Sequence, residues 1–366
     1  MPAVRWPPAV KVGVFVNTPA QVHFFGPFVA LLARRGHQPL VLARYHPETR
    51  RLLDETGLAH VVYATPSDSK WGKLAQLPRD VASARRLLKV HGVDAVTGFG
   101  VYDVLSASSL GLPSVVFTDT EARYHGAGMR VQAATFGRLA TTVVTPEWFG
   151  ERLGRHQVRI RAFKEVAYLH PDRFTPSRQP QGLGGVDLDE PFAFLRLSAH
   201  GALHDAGHAG LQGATLADLL ARLERRMRVW ASFEGGVPPG LERFACPADK
   251  RRIHDLLYHA AVVVGDSGSI PSEAALLGAP SLRFTSRPPE LDMGGFRALE
   301  QAGLLETFRD PAALARRSDA FPLGAAARAE RRAKAEGFLR SLDDPLETLL
   351  RCLEAAVPPA VRTTAG

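Results

Sequence analysis

The chain has 366 residues, and its hydrophobic content of 45% is enough for two buried cores, which excludes extensive disorder and favours two domains. Its net charge of +8 is carried by arginine pairs scattered along the chain without interleaved aromatic residues, so we expect no nucleic-acid partner. Cys246 and Cys352 stand far apart with no His/Cys cluster nearby, which argues against a disulfide scaffold and a structural zinc site.

No segment of the sequence predicts insertion into a membrane. Residues 1–9 lack the apolar region of a signal peptide, and no apolar run approaches the ~18 residues of a transmembrane helix. We therefore expect a soluble, cytoplasmic protein without a transmembrane segment. A modest positive field would favour an anionic substrate.

The first half of the chain alternates apolar strands with amphipathic helices. The predicted strands are Val10–Val16, Gln38–Ala43, His60–Tyr63, Val93–Thr97, Ser114–Thr118 and Thr141–Thr145. The predicted helices are Pro27–Arg35, Glu48–Thr56, Pro78–His91, Tyr102–Leu110, Met129–Leu139 and one opened by Pro146. This alternation with short connections predicts a Rossmann-like domain with a parallel, doubly wound sheet over residues 1–165.

Two polar segments follow strands of this domain. Residues 17–25 fall at the carboxyl edge of the first strand, where ligands bind in such sheets, so His23 is a binding candidate. The alternative is a histidine that only hydrogen-bonds the adjoining loop. Asp119, Glu121 and His125 follow the fifth strand and are candidates for general acid or base groups. Asp119 and Glu121 could equally serve as helix caps or ion-pair partners.

The second half repeats the architecture after a linker. Residues 166–190 are rich in Pro, Gly, Gln and Asp, which predicts a linker, and residues 191–335 predict a second Rossmann-like domain. Its predicted strands are Phe192–Leu197, Arg228–Ser232, Ala261–Val264 and Ser281–Phe284. Its helices are Thr215–Arg225, Lys250–Tyr258, one after Gly268 and Gly294–Ala302, before a helical tail from Pro311. The last helix, within 336–366, is expected to pack back on the first domain.

Histidines are concentrated in the loop after the strand Phe192–Leu197. His200, His204 and His208 stand near Asp205, but the loop is rich in glycine and alanine and its spacing matches no standard zinc pattern. We therefore expect no metal here. The better interpretation is a loop that lines a cleft and carries one acid or base histidine.

The run 262–280, VVVGDSGSIPSEAALLGAP, is the most informative stretch. Pro271 fits a helix only in its first turn, so a helix begins near Ser269. Free backbone N–H groups and a helix dipole beside Ser267 and Gly268 suit a phosphate or diphosphate. Glu273, one turn later, could accept hydrogen bonds from a ribose. The alternative is that Ser269 caps the helix and Glu273 complements its dipole.

The chain resembles the GT-B superfamily, in which two Rossmann-like domains face each other across a cleft. Within it the chain is most similar to the UDP-N-acetylglucosamine 2-epimerase branch, and it looks closest to an uncharacterised archaeal and bacterial family known only as a domain of unknown function. The resemblance covers most of the chain. It is carried by the stretches 265–274, 277–280, 17–25 and 35–37.

The resemblance implies roles for several residues. Those matching Ser267, Gly268 and Ser269 hold the UDP diphosphate in the epimerases, and the one matching Glu273 holds the ribose. Ser198-Ala199-His200 looks like the epimerase Thr-x-His, which implies a catalytic role for His200. Glu121-Ala122 resembles a Glu-Ala whose glutamate belongs to the acid/base set.

The chain departs from the epimerase pattern in three places. The Arg-x-Glu-Asn that should follow His200 is Gly201-Ala202-Leu203-His204, Gly100 is followed by Val101 where an aspartate is expected, and Met129-Arg130 occupies the place of an acidic pair. Removal of a C2 proton needs such groups, so their loss argues against a standard epimerase.

These observations favour a metal-independent enzyme acting on a nucleotide sugar, UDP-linked, with no further cofactor. Glycosyl transfer is favoured slightly over 2-epimerisation or hydrolysis. Cationic side chains such as Arg196 would stabilise the leaving diphosphate, and Glu121, His125, His200 or His204 would supply acid/base chemistry. The acceptor, a sugar, a lipid-linked group or another molecule, is not indicated. A non-catalytic sugar-nucleotide-binding protein is the alternative of another class, and a homodimer is compatible with either.

Overall fold

The computed structural model describes residues 9–45, 47–65, 70–124, 127–198 and 210–357. The protein is an α/β protein that divides into two compact units. The first comprises residues 1–168 together with 343–366, and the second comprises residues 169–342. In the described part of the chain, each unit contains one sheet of parallel strands.

The first unit contains a seven-stranded sheet in the order β3-β2-β1-β4-β5-β6-β7. Its strands are β1 (Lys11–Val16), β2 (Gln38–Arg44), β3 (His60–Ala64), β4 (Ala95–Gly98), β5 (Ser114–Phe117), β6 (Thr142–Pro146) and β7 (Gln157–Ile160). Its helices are α1 (Pro19–Arg34), α2 (Pro47–Glu55), α3 (Lys70–Val90), α4 (Val101–Ser108) and α5 (Ala127–Leu139), and the short α6 (Val166–Leu169) spans the boundary between the units. The strand order reverses between β1 and β4, which is where doubly wound sheets bind ligands.

The second unit contains a five-stranded sheet in the order β12-β11-β10-β8-β9. Its strands are β8 (Phe192–Leu197), β9 (Arg228–Phe233), β10 (Val262–Gly265), β11 (Ser281–Phe284) and β12 (Leu305–Phe308). Its helices are α7 (Gly213–Glu224), α8 (Ile253–His259), α9 (Ser269–Leu276), α10 (Gly294–Gln301), α11 (Pro311–Asp319) and α12 (Ala325–Arg340). Here the order reverses between β8 and β10.

The central strands are buried along their whole length, including the few polar residues of β4 and β11. Every residue of β4, β5, β10 and β11 is buried. Strands covered by helices on both faces read as unbroken Val, Ile and Leu runs rather than as alternating patterns. The same burial confirms the predicted α/β class with doubly wound parallel sheets.

Two helices begin earlier than the sequence predicted. α1 starts at Pro19 rather than Pro27, and α3 starts at Lys70 rather than Pro78. Both predictions took an interior proline for a helix start. Pro27 lies inside α1, where it has no N–H to donate to the carbonyl of His23 and its ring crowds that carbonyl.

The other corrections concern edge strands. No helix opens at Pro146, which is the final residue of β6, and the chain instead forms β7. β12 was also missed, because the second sheet was expected to end with β11. Both missed strands are four residues long and less buried than their neighbours, so their apolar runs are weak.

Two segments that join the predicted domains are packed. In the predicted linker 166–190, Arg252 donates to the carbonyl oxygens of Ser177 and Gln179 at 3.1 and 2.8 Å, which fixes this segment on the second unit. The last helix, α13 (Pro345–Ala356), packs against α1, β4 and β5 of the first unit. No helix within the described ranges combines the length and apolar character that a membrane span requires.

Candidate functional site

The N-terminal end of α9 lies directly after β10, at the reversal point of the second sheet. Gly268 is its N-cap residue, and no side-chain cap closes this helix end. Gly268 and Ser269 are both exposed. The backbone N–H groups of the first turn are therefore open to an anion, although Pro271 contributes none.

Ser267 adds a hydroxyl to this helix end. Its Oγ is buried and has no hydrogen-bond partner among the described residues. Buried hydroxyls are nearly always paired, so an unpaired one beside an uncapped helix end suits a ligand oxygen. The helix end and Ser267 together form what we call the Ser267 site, defined by residues 267–270.

Asp266 hydrogen-bonds both ends of the loop that follows β8, on the other side of the reversal point. Its Oδ1 accepts from the backbone N–H of Ser198 at 2.8 Å, and its Oδ2 accepts from that of Leu211 at 3.2 Å. These two residues bracket the histidine-rich loop. One carboxylate therefore ties both ends of that loop to the strand that leads into the Ser267 site.

Arg196 lies on β8 beside Gly265 of β10. Its guanidinium donates to Ser232 Oγ at 2.8 Å and lies 3.8 Å from Glu234 Oε2, both at the carboxyl end of β9. The strand pairing thus brings Arg196 to the same edge of the sheet as the Ser267 site. Its part in binding stays a prediction.

Glu273 is buried in the middle of α9 rather than exposed at its end. It is 6% exposed, and its Oε1 lies 3.5 Å from Nε2 of His254 on α8. A ribose would therefore reach this carboxylate only if it displaced His254 from it or if the Glu273 side chain moved. The predicted ribose contact stays a prediction.

The first unit presents aromatic side chains at its reversal point. Phe99, in the loop after β4, lies 5.0 Å from Phe24 and 5.5 Å from Phe117 between ring centroids, and it is partly exposed. His23 lies on α1, not in a loop, and its ring is 5.5 Å from that of Tyr168. This edge offers an apolar surface beside a histidine.

Asp119 and Glu121 are held by basic partners. Asp119 Oδ2 accepts from Lys164 Nζ at 2.6 Å. Burial opposes the charge of Lys164, yet Asp119 and Glu165 together raise its pKa above the usual value. Glu121 is 1% exposed, and its Oε1 accepts from Gly150 N at 2.7 Å and from Arg123 at 2.8 Å. These are contacts of structural carboxylates, and an acid/base role for either residue stays a prediction.

Asp103 is a buried carboxyl that sequence reasoning missed. It is 1% exposed and accepts from the backbone N–H groups of Gly100 and Val104 at 3.0 and 2.9 Å. Burial raises its pKa to about 7. A Cβ on Gly98 would overlap the Asp103 carboxyl group, so any other residue there would displace it. The aspartate in the third helical position was the available signal, since it is a capping position.

Three predicted catalytic residues lie outside the described residues: His125, His200 and His204. Residues 199–209, which include Asp205 and His208 of the histidine-rich loop, also lie outside them. Their roles remain predictions. The described structure thus brings Ser267, Gly268, Ser269 and Arg196 to one sheet edge, and His23, Asp119 and Glu121 lie in the other unit.

Comparison with solved structures gives matches along nearly the whole chain at low identity. A putative UDP-N-acetylglucosamine 2-epimerase from Listeria monocytogenes superposes with a TM-score of 0.65 at 13% identity, covering 95% of this chain and 96% of that chain. The glycotransferase of kitacinnamycin superposes with a TM-score of 0.61 at 14% identity, covering 96% of this chain and 100% of that chain. The glycosyltransferase VinC, in complex with DTDP, superposes with a TM-score of 0.56 at 16% identity, covering 94% of this chain and 100% of that chain. No protein-family model and no curated protein matches the chain.

These matches confirm the predicted superfamily resemblance at the level of fold. The finer likeness to a family known only as a domain of unknown function stays a prediction. At identities of 13 to 16% the matches carry no assignment of substrate. The chain has the GT-B fold, shared by glycosyltransferases and by UDP-N-acetylglucosamine 2-epimerases.

Proposed function

We propose that the protein is a GT-B glycosyltransferase that uses a nucleotide-sugar donor, with UDP sugars as the expected donor class. The observation that carries the proposal is the Ser267 site. It combines an uncapped, exposed helix end with a buried hydroxyl that has no described partner, at the reversal point of a doubly wound sheet. A diphosphate is the ligand group that such a site suits.

The proposed reaction transfers the sugar from the donor diphosphate to an acceptor hydroxyl. The bond between the anomeric carbon and the diphosphate oxygen breaks, and a bond to the acceptor oxygen forms. The backbone N–H groups of 268–270, the Ser267 hydroxyl and Arg196 would stabilise the charge on the departing diphosphate in place of a metal ion. A base would take the acceptor proton, and the candidates are Asp119, Glu121, His125, His200 and His204.

One structural neighbour supports a nucleoside diphosphate donor without distinguishing its base. VinC was solved with DTDP, a nucleoside diphosphate, and we propose that this chain binds the same class of group. Phe99 and its aromatic neighbours in the first unit offer an apolar surface for the non-reacting part of an acceptor. We propose that the acceptor binds to this unit.

The first test is a thermal-shift titration with UDP, GDP, TDP, CDP and ADP. A ligand at about 100 times its Kd stabilises the folded state by about 2.7 kcal/mol, which gives a visible shift in Tm. We expect one nucleotide, UDP, to act selectively. No shift with any nucleotide would contradict the proposal.

A charge substitution tests whether the nucleotide binds at the N-terminal end of α9. Ser269→Glu puts a carboxylate at the helix N-terminus, where the dipole stabilises it, so the fold should be retained. The same carboxylate should repel a diphosphate and abolish the nucleotide-dependent shift. Ala325→Glu, at an exposed position in the first turn of α12 in the same unit, is the matched control and should leave the shift unchanged.

A 2-epimerase is the second candidate, because the Listeria epimerase superposes with a higher TM-score than either transferase above. Epimerisation needs no acceptor, so it predicts conversion of UDP-N-acetylglucosamine incubated with the protein alone. A transferase releases UDP in proportion to acceptor added. A non-catalytic binding protein would give the thermal shift without turnover under either condition.

A further inference from the structure

A second group of polar side chains lies at the carboxyl edge of the first sheet, apart from Asp119 and Glu121. We call it the Arg44 cluster, and it comprises Arg44, Gln76, Asp80 and Tyr102. Arg44 ends β2, and Tyr102 lies in the first turn of α4. Gln76 and Asp80 are one turn apart on α3, so they share a face of that helix. Arg44 Cζ lies 5.0 Å from the Tyr102 ring centroid.

The cluster contains several buried polar atoms without hydrogen bonds. Four of its side-chain atoms are buried and lack a partner among the described residues: Nε and Nη2 of Arg44, Oδ2 of Asp80 and Oε1 of Gln76. Asp80 is only 5% exposed. Leaving such groups unpaired is costly, most of all for charged groups. Arg44 and Asp80 interact electrostatically, and Gln76 lies one turn from Asp80 on the same helix face, so their unpaired atoms call for an occupant.

A purely structural arginine in the same protein looks different. The buried guanidinium of Arg283 donates to both oxygens of Asp292, at 2.8 and 2.9 Å. Burial raises the pKa of Asp80 and the nearby Arg44 lowers it, yet the two side chains form no ion pair among the described residues. Arg44 thus keeps its Nε and Nη2 donors without a partner among the described residues, whereas Arg283 uses Nη1 and Nη2 on Asp292.

The cluster lies beside an irregularity in the pairing of β2 with β3. Ala43 pairs with Val62 and Arg44 pairs with Ala64, so Tyr63 of β3 has no partner in this register. Arg44 and Tyr102 are each partly exposed, so the cluster is reached from solvent.

The unpaired atoms define the chemistry of the occupant. Nε and Nη2 lie on one edge of the guanidinium, with the spacing that binds two oxygens of a carboxylate or phosphate. Gln76 Oε1 and Asp80 Oδ2 add acceptors for hydroxyl or amide hydrogens beside that anion. A ligand with an acidic group next to a hydrogen-bond donor satisfies all four atoms.

We propose that the Arg44 cluster is a specificity site that binds a carboxylate or phosphate group of the acceptor substrate, held bidentately by Arg44. The identification of the ligand as an acceptor rests on the proposed glycosyltransferase function. The anion site itself does not, because it lies in the first unit and the Ser267 site lies in the second.

The test measures binding of small anions to the full chain by thermal shift. The probes are 4-hydroxybenzoate for the carboxylate, phenyl phosphate for the phosphate, and uncharged 4-hydroxybenzamide. We expect at least one anion, but not the amide, to raise Tm, and the anion with the lower Kd identifies the acidic group. Arg44→Gln should raise the Kd of that anion at least tenfold. Arg86→Gln, at an exposed position on α3, should not.

Two further variants keep the result interpretable. Arg44→Lys retains the charge without the two-pronged edge, so it should fold and bind the anion several-fold more weakly than wild type. Ser269→Glu removes any phosphate that binds at the Ser267 site, and it should leave the Arg44-dependent shift intact. Equal binding in Arg44→Gln and Arg86→Gln, or no shift with either anion, would overturn the proposal. Absence of nucleotide binding or sugar transfer would contradict the proposed function and leave the anion result standing.

Discussion

At the scale of single residues, a substitution of Glu121 distinguishes a structural role of its carboxylate from a catalytic one. Glu121→Gln keeps an acceptor for the N–H of Gly150 but removes the charge that Arg123 contacts. We expect the free energy of unfolding to fall by about 1–3 kcal/mol. If Glu121 is also the acid or base, kcat should fall by about 10² to 10⁴. A stability loss with nearly unchanged kcat would assign the carboxylate to structure alone.

Asp103 should make stability depend on pH. Burial raises its folded-state pKa from 3.8 to about 7, so the folded protein holds a proton that the unfolded chain releases. Stability from this group is present below pH 4 and is lost as the pH rises towards 7 and above. Asp103→Asn should therefore flatten the fall in Tm between pH 5 and 8. Asp54→Asn, an exposed change on α2, should retain the wild-type slope.

The sequence predicts some of these residues and not others for a physical reason. The helix start at Ser269 was predictable because Pro271, Ser269 and Gly268 are neighbours, and a helix start depends on local geometry, whereas binding at the Ser267 site stays a prediction. The Arg44 cluster was not, because its members come from β2, α3 and α4. Their meeting depends on the order of strands in the sheet, which local patterns do not encode.

At the scale of elements, Asp266 should control the loop that it brackets. Asp266→Ala leaves the backbone N–H groups of Ser198 and Leu211 without their acceptor. We expect faster hydrogen exchange at both amides and weaker binding of the nucleotide diphosphate. Asp310→Ala is a matched control, because Asp310 likewise accepts from two backbone N–H groups, at the start of α11.

The two variants should differ in binding and not in stability. Each loses acceptors for two amides, and loss of a helix cap typically costs about 1 kcal/mol. Similar falls in Tm with nucleotide affinity reduced only in Asp266→Ala would assign Asp266 to the site. Equal affinities in both variants would show that the loop ends do not influence the Ser267 site.

Helix and strand boundaries show where local patterns fail. The bounds of the central strands were predicted to within about two residues, because strands that are buried on both faces have mostly apolar sequences. The starts of α1 and α3 were wrong because Pro27 and Pro78 each lie inside a helix. Packing of α1 against its sheet, where Phe24, Phe25 and Phe28 are fully buried, outweighs the hydrogen bond that Pro27 removes.

At the scale of the whole molecule, the last helix belongs to the first unit although it ends the chain. α13 buries Leu349 completely and pairs Glu347 with Arg35 at 2.9 Å. Leu349→Ala should cost about 2–5 kcal/mol of stability in the first unit. Leu314→Ala, equally buried on α11, should do the same in the second unit.

Hydrogen exchange can assign each loss to a unit. If the units unfold separately, Leu349→Ala should speed exchange in β4 and β5 and leave β8 and β10 protected, and Leu314→Ala should do the reverse. A nucleotide that binds only at the Ser267 site stabilises the unit that holds it, so it should restore protection in the Leu314→Ala variant alone. Rescue of both variants to the same extent would mean that binding and folding are coupled across the two units, and the Ser267 site could then not be treated as a property of the second unit alone.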